Sequence, residues 1–299
     1  MILSEYRKMS LPARIVIHAI MFSFAVVCII PLWGIIAISL SNETDISLFG
    51  YSIIPRTPDL LGYRYVLTNP VMILNSYKVS IGLTLVGSAL SLIITAGLSY
   101  ALSRSDYKLR NHVSFFIFFT LLFSGGLVPW YMLISRYLNL KSTFWVLVLP
   151  YLVHPWFVLI LRTFMQKIPM EIIESCMIDG SGEYRTFLMI VLPLSKPGLA
   201  TVGLFTMLRY WNDWWLAMLF IEKDSLAPLQ YMLYRMMNNI AFLTSSSNQM
   251  PPGLRADIQL PKESARMAMA VLAAGPMLMV FPFFQRYFVK GLTIGAVKG

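Results

Sequence analysis

Six stretches of this 299-residue chain run for about the length of a membrane-crossing helix with almost no charge, and no other feature of the sequence constrains the fold as strongly. They are Ile15–Ile38, Val79–Leu102, Val113–Ser135, Ser142–Leu161, Gly198–Ile221 and Met267–Gln285. Crossing a hydrocarbon layer of roughly 30 Å takes about 20 helical residues. The spans must be helices, because lipid offers backbone N–H and C=O groups no partners and blocks of this length far exceed a barrel strand. Composition agrees: 57% of residues are hydrophobic and 13% charged, against about 25% charged in an ordinary soluble domain. The expected fold class is therefore an all-α membrane protein with six transmembrane helices.

The first block follows Arg7, Lys8 and Arg14 and ends near Ala37-Ile38-Ser39, a weak likeness to a signal-peptide cleavage site. Its apolar length exceeds the 7 to 15 residues of such a peptide, so it reads as a retained helix. The connections fall into two alternating sets. Residues 1–14, 103–112, 162–197 and 286–299 carry 13 Lys or Arg in 74 positions, and residues 41–77, 136–142 and 222–265 carry 8 in 88. The positive-inside rule puts the denser set, with both termini, in the cytoplasm. The formal net charge of +10 is thus explained by membrane orientation, with no nucleic-acid partner. Cys28 and Cys176 read as plain thiols, and His18, His112 and His154 show no metal-ligand spacing. His154-Pro155 marks a helix irregularity.

Three outer connections differ in size. Residues 41–77 carry Pro55, Pro58 and Pro70, which favour an irregular or extended segment. Residues 136–142 form a tight turn. Residues 222–265 combine a helical-looking stretch, Leu229–Ile240, with the polar tract Thr244–Gln249 and a Pro251-Pro252-Gly253 break; loops this long are usually functional or disordered. Inside, residues 162–197 hold most of the mass. Pro169 suits a helix start, Glu171 and Glu174 lie early, and Gly180 suits a stop. A second helical stretch, Glu183–Leu192, ends at Pro193. Ile172, Ile173, Met177 and Ile178 commit a large apolar surface either to the chain's own spans or to a groove on another protein, and composition does not choose between them.

The run Glu174-Ser175-Cys176, three residues, Gly180, nine residues, then Ile190-Val191-Leu192-Pro193 resembles the EAA signature of permeases in importers of the ATP-binding-cassette class. Ser175 and Cys176 stand where that family commonly has alanines; both are small. The likeness extends over nearly the whole chain, through Trp211-Asn212-Asp213-Trp214 to the tail from Lys290 to Gly299, and is closest to the second permease of carbohydrate importers, similar to the smaller permease of the maltose system. The resemblance implies a type I importer permease fold: a tail at 1–14, a transmembrane domain at 15–288 holding the coupling loop 162–197 and outer loop 222–265, and a second tail at 289–299 that touches the ATPase pair. It also implies a coupling helix seated in an ATPase cleft, with Glu171, Glu174, Ser175, Cys176, Asp179 and Gly180 at the joint and Ile190, Leu192 and Pro193 behind it. The implied partners are a second, non-identical permease, an ATP-binding-cassette ATPase dimer and an external substrate-binding protein, and the implied substrate is an oligosaccharide moved by alternating access across a bacterial-type inner membrane. Outer loop 222–265 occupies the place where related permeases probe the binding protein.

No glycine in the chain is followed directly by lysine, so the phosphate-binding G-x-x-x-x-G-K-[ST] loop is absent and the chain is no enzyme of that kind; ATP and magnesium belong to the partner. Arg209 and Asp213, four apart in the fifth block, are expected to share a helix face and partly neutralise each other. With Asn212, Trp211, Trp214 and Trp215 they are candidates to line the path, polar groups meeting sugar hydroxyls and indoles stacking on sugar faces; the competing reading is a structural ion pair with tryptophan interface anchors. Three other functions remain open: an importer of another solute such as a peptide or polyol, an ion-coupled secondary transporter using Arg209 and Asp213, and a membrane enzyme using Asp213.

Overall fold

The structure, a computed structural model, describes residues 11–248 and 261–296, with side chains through 245 and over 261–285. Three helices are long and apolar enough to cross a membrane unaided: α1 (Leu11–Ser39), α4 (Pro70–Ser103) and the last helix. Three further pairs qualify as crossings only when each bent pair is taken as one span. The six apolar blocks thus resolve into three continuous and three broken elements, and each break has a local cause.

The third block is not one straight helix. It forms α5 (Arg110–Leu122) and the run Leu127–Tyr137 (α6), bent by 113°. Ser124-Gly125-Gly126 lies at the bend, and Gly126 has φ +86°, a left-handed conformation that glycine adopts without steric cost. The fourth block forms Phe144–Tyr151 (α7) and α8 (Pro155–Met165), bent by 51°. Pro155 opens α8 where its missing N–H is harmless, so His154-Pro155 does mark an irregularity. Between α1 and α4 run the short helices α2 (Glu43–Phe49) and α3 (Leu61–Val66), so the connection 41–77 is more ordered than its prolines suggest. Pro70 begins α4 instead of interrupting a loop.

After α9 (Met170–Ile178), a helical run α10 (Glu183–Leu194) continues past Pro193, where termination was expected. A π-helical turn at Phe187–Val191 precedes that proline; the wider turn removes the close approach of the proline ring to the carbonyl four residues back. The chain then turns by 82° at Ser195 into α11 (Lys196–Trp211). The fifth block does not stay helical to Ile221. It stops at Trp211 and restarts as α12 (Trp215–Phe220). Helix α13 (Leu229–Asn248) runs eight residues beyond the expected Ile240, so the described part of the polar tract is helical; Pro251-Pro252-Gly253 lies outside the described residues. Helix α14 (Glu263–Ala296) extends through most of the expected C-terminal tail, and residues 1–10 and 297–299 lie outside the described set.

Two compact units are present. One joins the chain up to Pro70 with Leu233–Pro276. Here Glu43 caps the start of α14: its carboxylate accepts from the N–H groups of Glu263 (2.9 Å) and Ser264 (3.0 Å) and from the Ser264 hydroxyl (2.7 Å). Carboxylates at helix N-termini satisfy orphan donors and oppose the helix dipole. Gly62 permits the approach of α3, because a Cβ there would lie 2.7 Å from the Ser264 carbonyl carbon. Most of α1 is exposed apolar surface, as expected of a helix whose neighbour is lipid; only Ala37, Ile38 and Ser39 are buried.

The second unit joins Val71–Met232 with the described chain after Pro276 and holds the main cores. Its organising helix is α4, whose 34 residues span about 51 Å at 1.5 Å per residue. Ser76, Ser80, Thr84, Gly87, Ser88, Ser91, Thr95 and Ser99 are buried along it. Lipid gives helices no hydrophobic reason to associate, so membrane interfaces use small residues and interhelical hydrogen bonds. Ser99 donates to the Val158 carbonyl at 3.0 Å, and Ser80 accepts from the Leu229 N–H at 2.8 Å. At Gly87 a Cβ would lie 2.6 Å from the Tyr210 ring, so α11 is seated directly on the α4 backbone. Gly87→Ala is expected to lower thermal stability of the purified chain by about 1–3 kcal/mol through overpacking. Gly97→Ala, where nothing lies within 4 Å of the added carbon, serves as the near-neutral control.

Candidate functional site

The short helix expected before Gly180 is present as α9, and its end is closely defined. Asp179 is the C-cap and Gly180 follows with φ +81°. The Gly180 N–H bonds the Met177 carbonyl at 3.0 Å and the Ser181 N–H bonds the Cys176 carbonyl at 2.9 Å. That pair of bonds is the Schellman arrangement, which consumes carbonyls the helix end leaves free. No heavy atom lies within 4 Å of a Cβ built on Gly180, so its requirement is conformational, not one of space.

The apolar commitment of α9 is divided between two environments. Ile173 is buried in a cluster with Ala96, Leu161, Met165, Val191 and Val202, and Met170 and Met177 pack against it. Ile178 is 86% exposed, and Ile172 is also exposed. Glu171, Glu174, Ser175 and Asp179 are exposed with Ile178, and Cys176 is half-buried. Of the residues behind the joint, Ile190 and Leu192 are half-buried and Pro193 is exposed.

A polar cluster absent from the sequence reading ties this segment to α4. Arg104, one residue beyond α4 and 6% exposed, gives Nε and Nη2 to Asp106 at 3.1 and 2.9 Å and Nη2 to Glu183 at 3.3 Å. Tyr100 donates to the other Glu183 oxygen at 2.6 Å and stacks on Phe187 at 5.0 Å between centroids. The first residue of α10 is thereby fixed to the last turn of α4. Hydrogen bonds from Arg104 hold the Asp106 carboxyl below its ordinary range. Its contribution is therefore present above the usual carboxylate value of about 4 and lost as pH falls through the lower folded value. Between pH 5 and pH 3, Arg104→Ala should show a shallower fall in melting temperature than the parent chain.

The second candidate region is the gap between α11 and α12. Because α11 ends at Trp211, Arg209 and Asp213 do not share one helix face, which corrects that expectation from their spacing, while the expected electrostatic interaction between the two charges is kept across the break. Asp213, 7% exposed, is turned toward the restarting helix: Oδ1 accepts from the Tyr151 hydroxyl at 2.9 Å and Oδ2 from the Leu216 N–H at 3.3 Å. The Arg209 guanidinium lies 4.1 Å over the Tyr151 ring. A charge at the middle of a membrane helix costs about 2.5–3.5 kcal/mol on the insertion scale, and a desolvated cation–π contact offsets about 2 kcal/mol.

Trp211 is buried beside Tyr77, 6.4 Å between ring centroids, so the fold separates it from Trp214 and Trp215, which are exposed and meet edge to face at 5.8 Å. Asn212 is exposed, giving Nδ2 to the Leu208 carbonyl at 2.9 Å. Tyr151 was missed by sequence reasoning; it lies about sixty residues from the groups it holds, and no local pattern signals the contact. Tyr151→Phe keeps the ring beneath Arg209 but leaves Oδ1 of Asp213 without its donor. A loss of about 1–3 kcal/mol is expected in thermal unfolding.

Residues 90–294 match the family described as binding-protein-dependent transport system inner membrane component. A polygalacturonan/rhamnogalacturonan transport system permease protein, YtcP of Bacillus subtilis (strain 168), is 34% identical over 95% of this chain and 97% of its own. Protein LplC of the same organism is 37% identical over 91% and 90%. Among solved structures, a crystal structure of a bacterial ABC transporter involved in the import of the acidic polysaccharide alginate contains a chain with TM-score 0.76 and 25% identity. The match covers 94% of this chain and 99% of that one. The curved, interrupted helices, the capped EAA-like helix and these likenesses converge: the chain belongs to the binding-protein-dependent transport system inner membrane components and is a permease subunit of an ABC importer, not an enzyme.

Proposed function

We propose that this permease forms one half of a translocation path for an oligosaccharide handed over by an external binding protein, with a second, non-identical permease completing the path and a cytoplasmic ATP-binding-cassette dimer driving it. The observation that carries this reading is the exposed face of α9. Among the described residues, Ile178 and Ile172, with Glu171 and Glu174 beside them, have no cover within their own unit, while Ile173 on the other side of the helix is sealed into it. A helix fixed on one face and bare on the other suits insertion into a groove on a partner. The basic loops put this face and both termini in the cytoplasm, where the ATPase supplies the nucleotide and magnesium chemistry that this chain lacks.

The geometry also suits the transmission of force. Helix α9 ends in a fixed Schellman turn, α10 is pinned to α4 through Glu183, and the 82° elbow at Ser195 leads directly into α11. Closure of the ATPase pair that displaces α9 would be carried through these joints as rigid-body rotation, the usual form of such transitions. Helix α11 carries Arg209 in its last turn and leads into Asn212 and Asp213 in the break after Trp211, so the moving element bears on the polar groups proposed to line the path, with Trp214 beside them. Oligosaccharide is favoured as cargo by the exposed indoles, which suit sugar faces, and by the named sugar systems of the relatives.

Ile178→Glu tests the joint. Because Ile178 is 86% exposed, the permease itself should fold and reach the membrane normally. ATP-driven uptake in proteoliposomes should fall at least about tenfold, the effect of losing a buried apolar anchor and placing a charge at an interface. In a background lacking Cys28 and Cys176, a cysteine at position 178 should crosslink to the ATPase. Undiminished uptake together with no crosslink would sink the proposal.

A further inference from the structure

We propose that Glu183, gripped by Tyr100 and Arg104, is a positioning residue for energy coupling: it stiffens the joint between α9 and α10, so that movement of α9 reaches α11 instead of being lost as rolling. The inference rests on the reading above that α9 docks on the ATPase, and adds which side chains carry the movement onward. Glu183 occupies one of the unspecified positions of the EAA-like run, and Tyr100 and Arg104 lie outside it. Little else holds α9 at a fixed angle. Met170, Ile173 and Met177 are the residues by which α9 meets the apolar cluster beneath it. They stand three and four positions apart, on one line along the helix. Apolar contact is non-directional, so a helix resting on such a line is held down yet free to roll about it.

The connection to α10 does not by itself prevent that rolling. The Schellman turn defines how α9 ends, but the backbone bonds given by Asp179, Gly180, Ser181 and Thr186 all stay within residues 175–186. The Thr186 hydroxyl bonds that of Ser181 at 3.2 Å, inside the same stretch. Gly180 and Gly182 have no side chain to lean on a neighbour, and nothing lies within 4 Å of a Cβ built on either. Tyr184 is exposed. Among the described residues, Glu183 is the one side chain from Asp179 to Arg185 that bonds outside this stretch.

The grip on Glu183 is directional and two-sided. Oε2 accepts from the Tyr100 hydroxyl at 2.6 Å and Oε1 from Nη2 of Arg104 at 3.3 Å. Arg104 is in turn fixed by Asp106, and its Nη1 lies 3.8 Å from the sulfur of Met170. One buried guanidinium at the end of α4 therefore touches the first residue of α9 and the first residue of α10. Hydrogen bonds weaken steeply as their angles close, so this three-way contact resists the rolling that the apolar line permits. The Asp106 and Glu183 side chains are themselves 59% and 51% exposed, and ion pairs open to water add little to folding. What the contact fixes is the angle between α9 and α10 and, through the elbow at Ser195, the direction in which α11 is driven.

The test uses the complete importer with its own binding protein in proteoliposomes, lacking Cys28 and Cys176 and carrying Asn212→Cys at the exposed end of α11. Two quantities are read: the rate of ATP hydrolysis, and the change in reaction of that cysteine with a membrane-impermeant maleimide when ATP and vanadate trap the closed ATPase. Glu183→Ala should hydrolyse ATP at close to the parent rate while the maleimide change falls at least about threefold, an effect of the size seen for residues that carry coupling between sites. Glu183→Gln, which keeps an acceptor for Tyr100 but not the ion pair, should fall between. An undiminished change in Glu183→Ala overturns the proposal, and so does a parallel fall in hydrolysis and in the change, the mark of a merely structural role. If the parent shows no ATP-dependent change although Ile178→Cys crosslinks to the ATPase, the docking reading stands and this inference falls. If neither is seen, both fall.

Discussion

Hydrocarbon cannot hydrogen-bond a peptide group, and that single constraint governs where this chain can bend. A continuous helix satisfies itself, as α1 and α4 do. Every interruption must find partners within the protein or in water. At Ser195 the gap closes through backbone bonds of the flanking turns. At the α11–α12 break the side chain of Asp213 takes the Leu216 N–H, doing for the restarting helix what an N-cap does at the surface. At Ser124-Gly125-Gly126 the backbone is exposed beside Trp130 and Trp215, lining a concavity of about 520 Å³. Non-helical backbone at membrane depth persists where it lines a watery cavity or is covered by protein, and this bend lines a concavity instead of standing on a flat surface.

The same constraint explains why α4 is built as it is. A helix that must serve as a fixed reference for broken neighbours needs contacts that do not depend on hydrophobic burial. Serines, threonines and Gly87 supply them by letting backbones approach and by bonding across to Val158 and Leu229. The Arg104 cluster completes the role at the other end of α4, where Tyr100 and Arg104 grip Glu183. One long helix thus anchors both α11 and the segment that begins at Glu183.

Much of this was legible in the sequence, for identifiable reasons. Apolar block length reports membrane crossings directly, and the pairing of early acids with a late glycine located α9 to within a residue, because capping chemistry is local. His154-Pro155 announced its break for the same reason. What the sequence concealed was direction and distance. Hydropathy is blind to bending, so the 113° turn at Ser124-Gly125-Gly126 and the stop at Trp211 were hidden inside blocks of uniform polarity. Arg104 and Glu183 are 79 residues apart, and Tyr151 and Asp213 are 62 apart; no periodicity links such pairs. The i, i+4 spacing of Arg209 and Asp213 misled because it presumes a helix that the fold ends between them.

That broken pairing is what gives the region its chemical character. Had α11 continued through Asp213, the two charges would have faced each other one turn apart, each close to neutral toward anything passing. Stopping at Trp211 assigns the carboxylate to capping the restarted helix and seats the guanidinium on the Tyr151 ring, so that one tyrosine meets both charges across the break. A helix break, commonly regarded as a mechanical feature of a transporter, here also sorts charge: it gives the anion to the scaffold as a cap and the cation to an aromatic face, with Tyr151 shared between them. The electrostatic balance at this point is therefore set by where a helix ends, and a substitution that extended α11 by one turn would break the Asp213 cap without touching a polar residue.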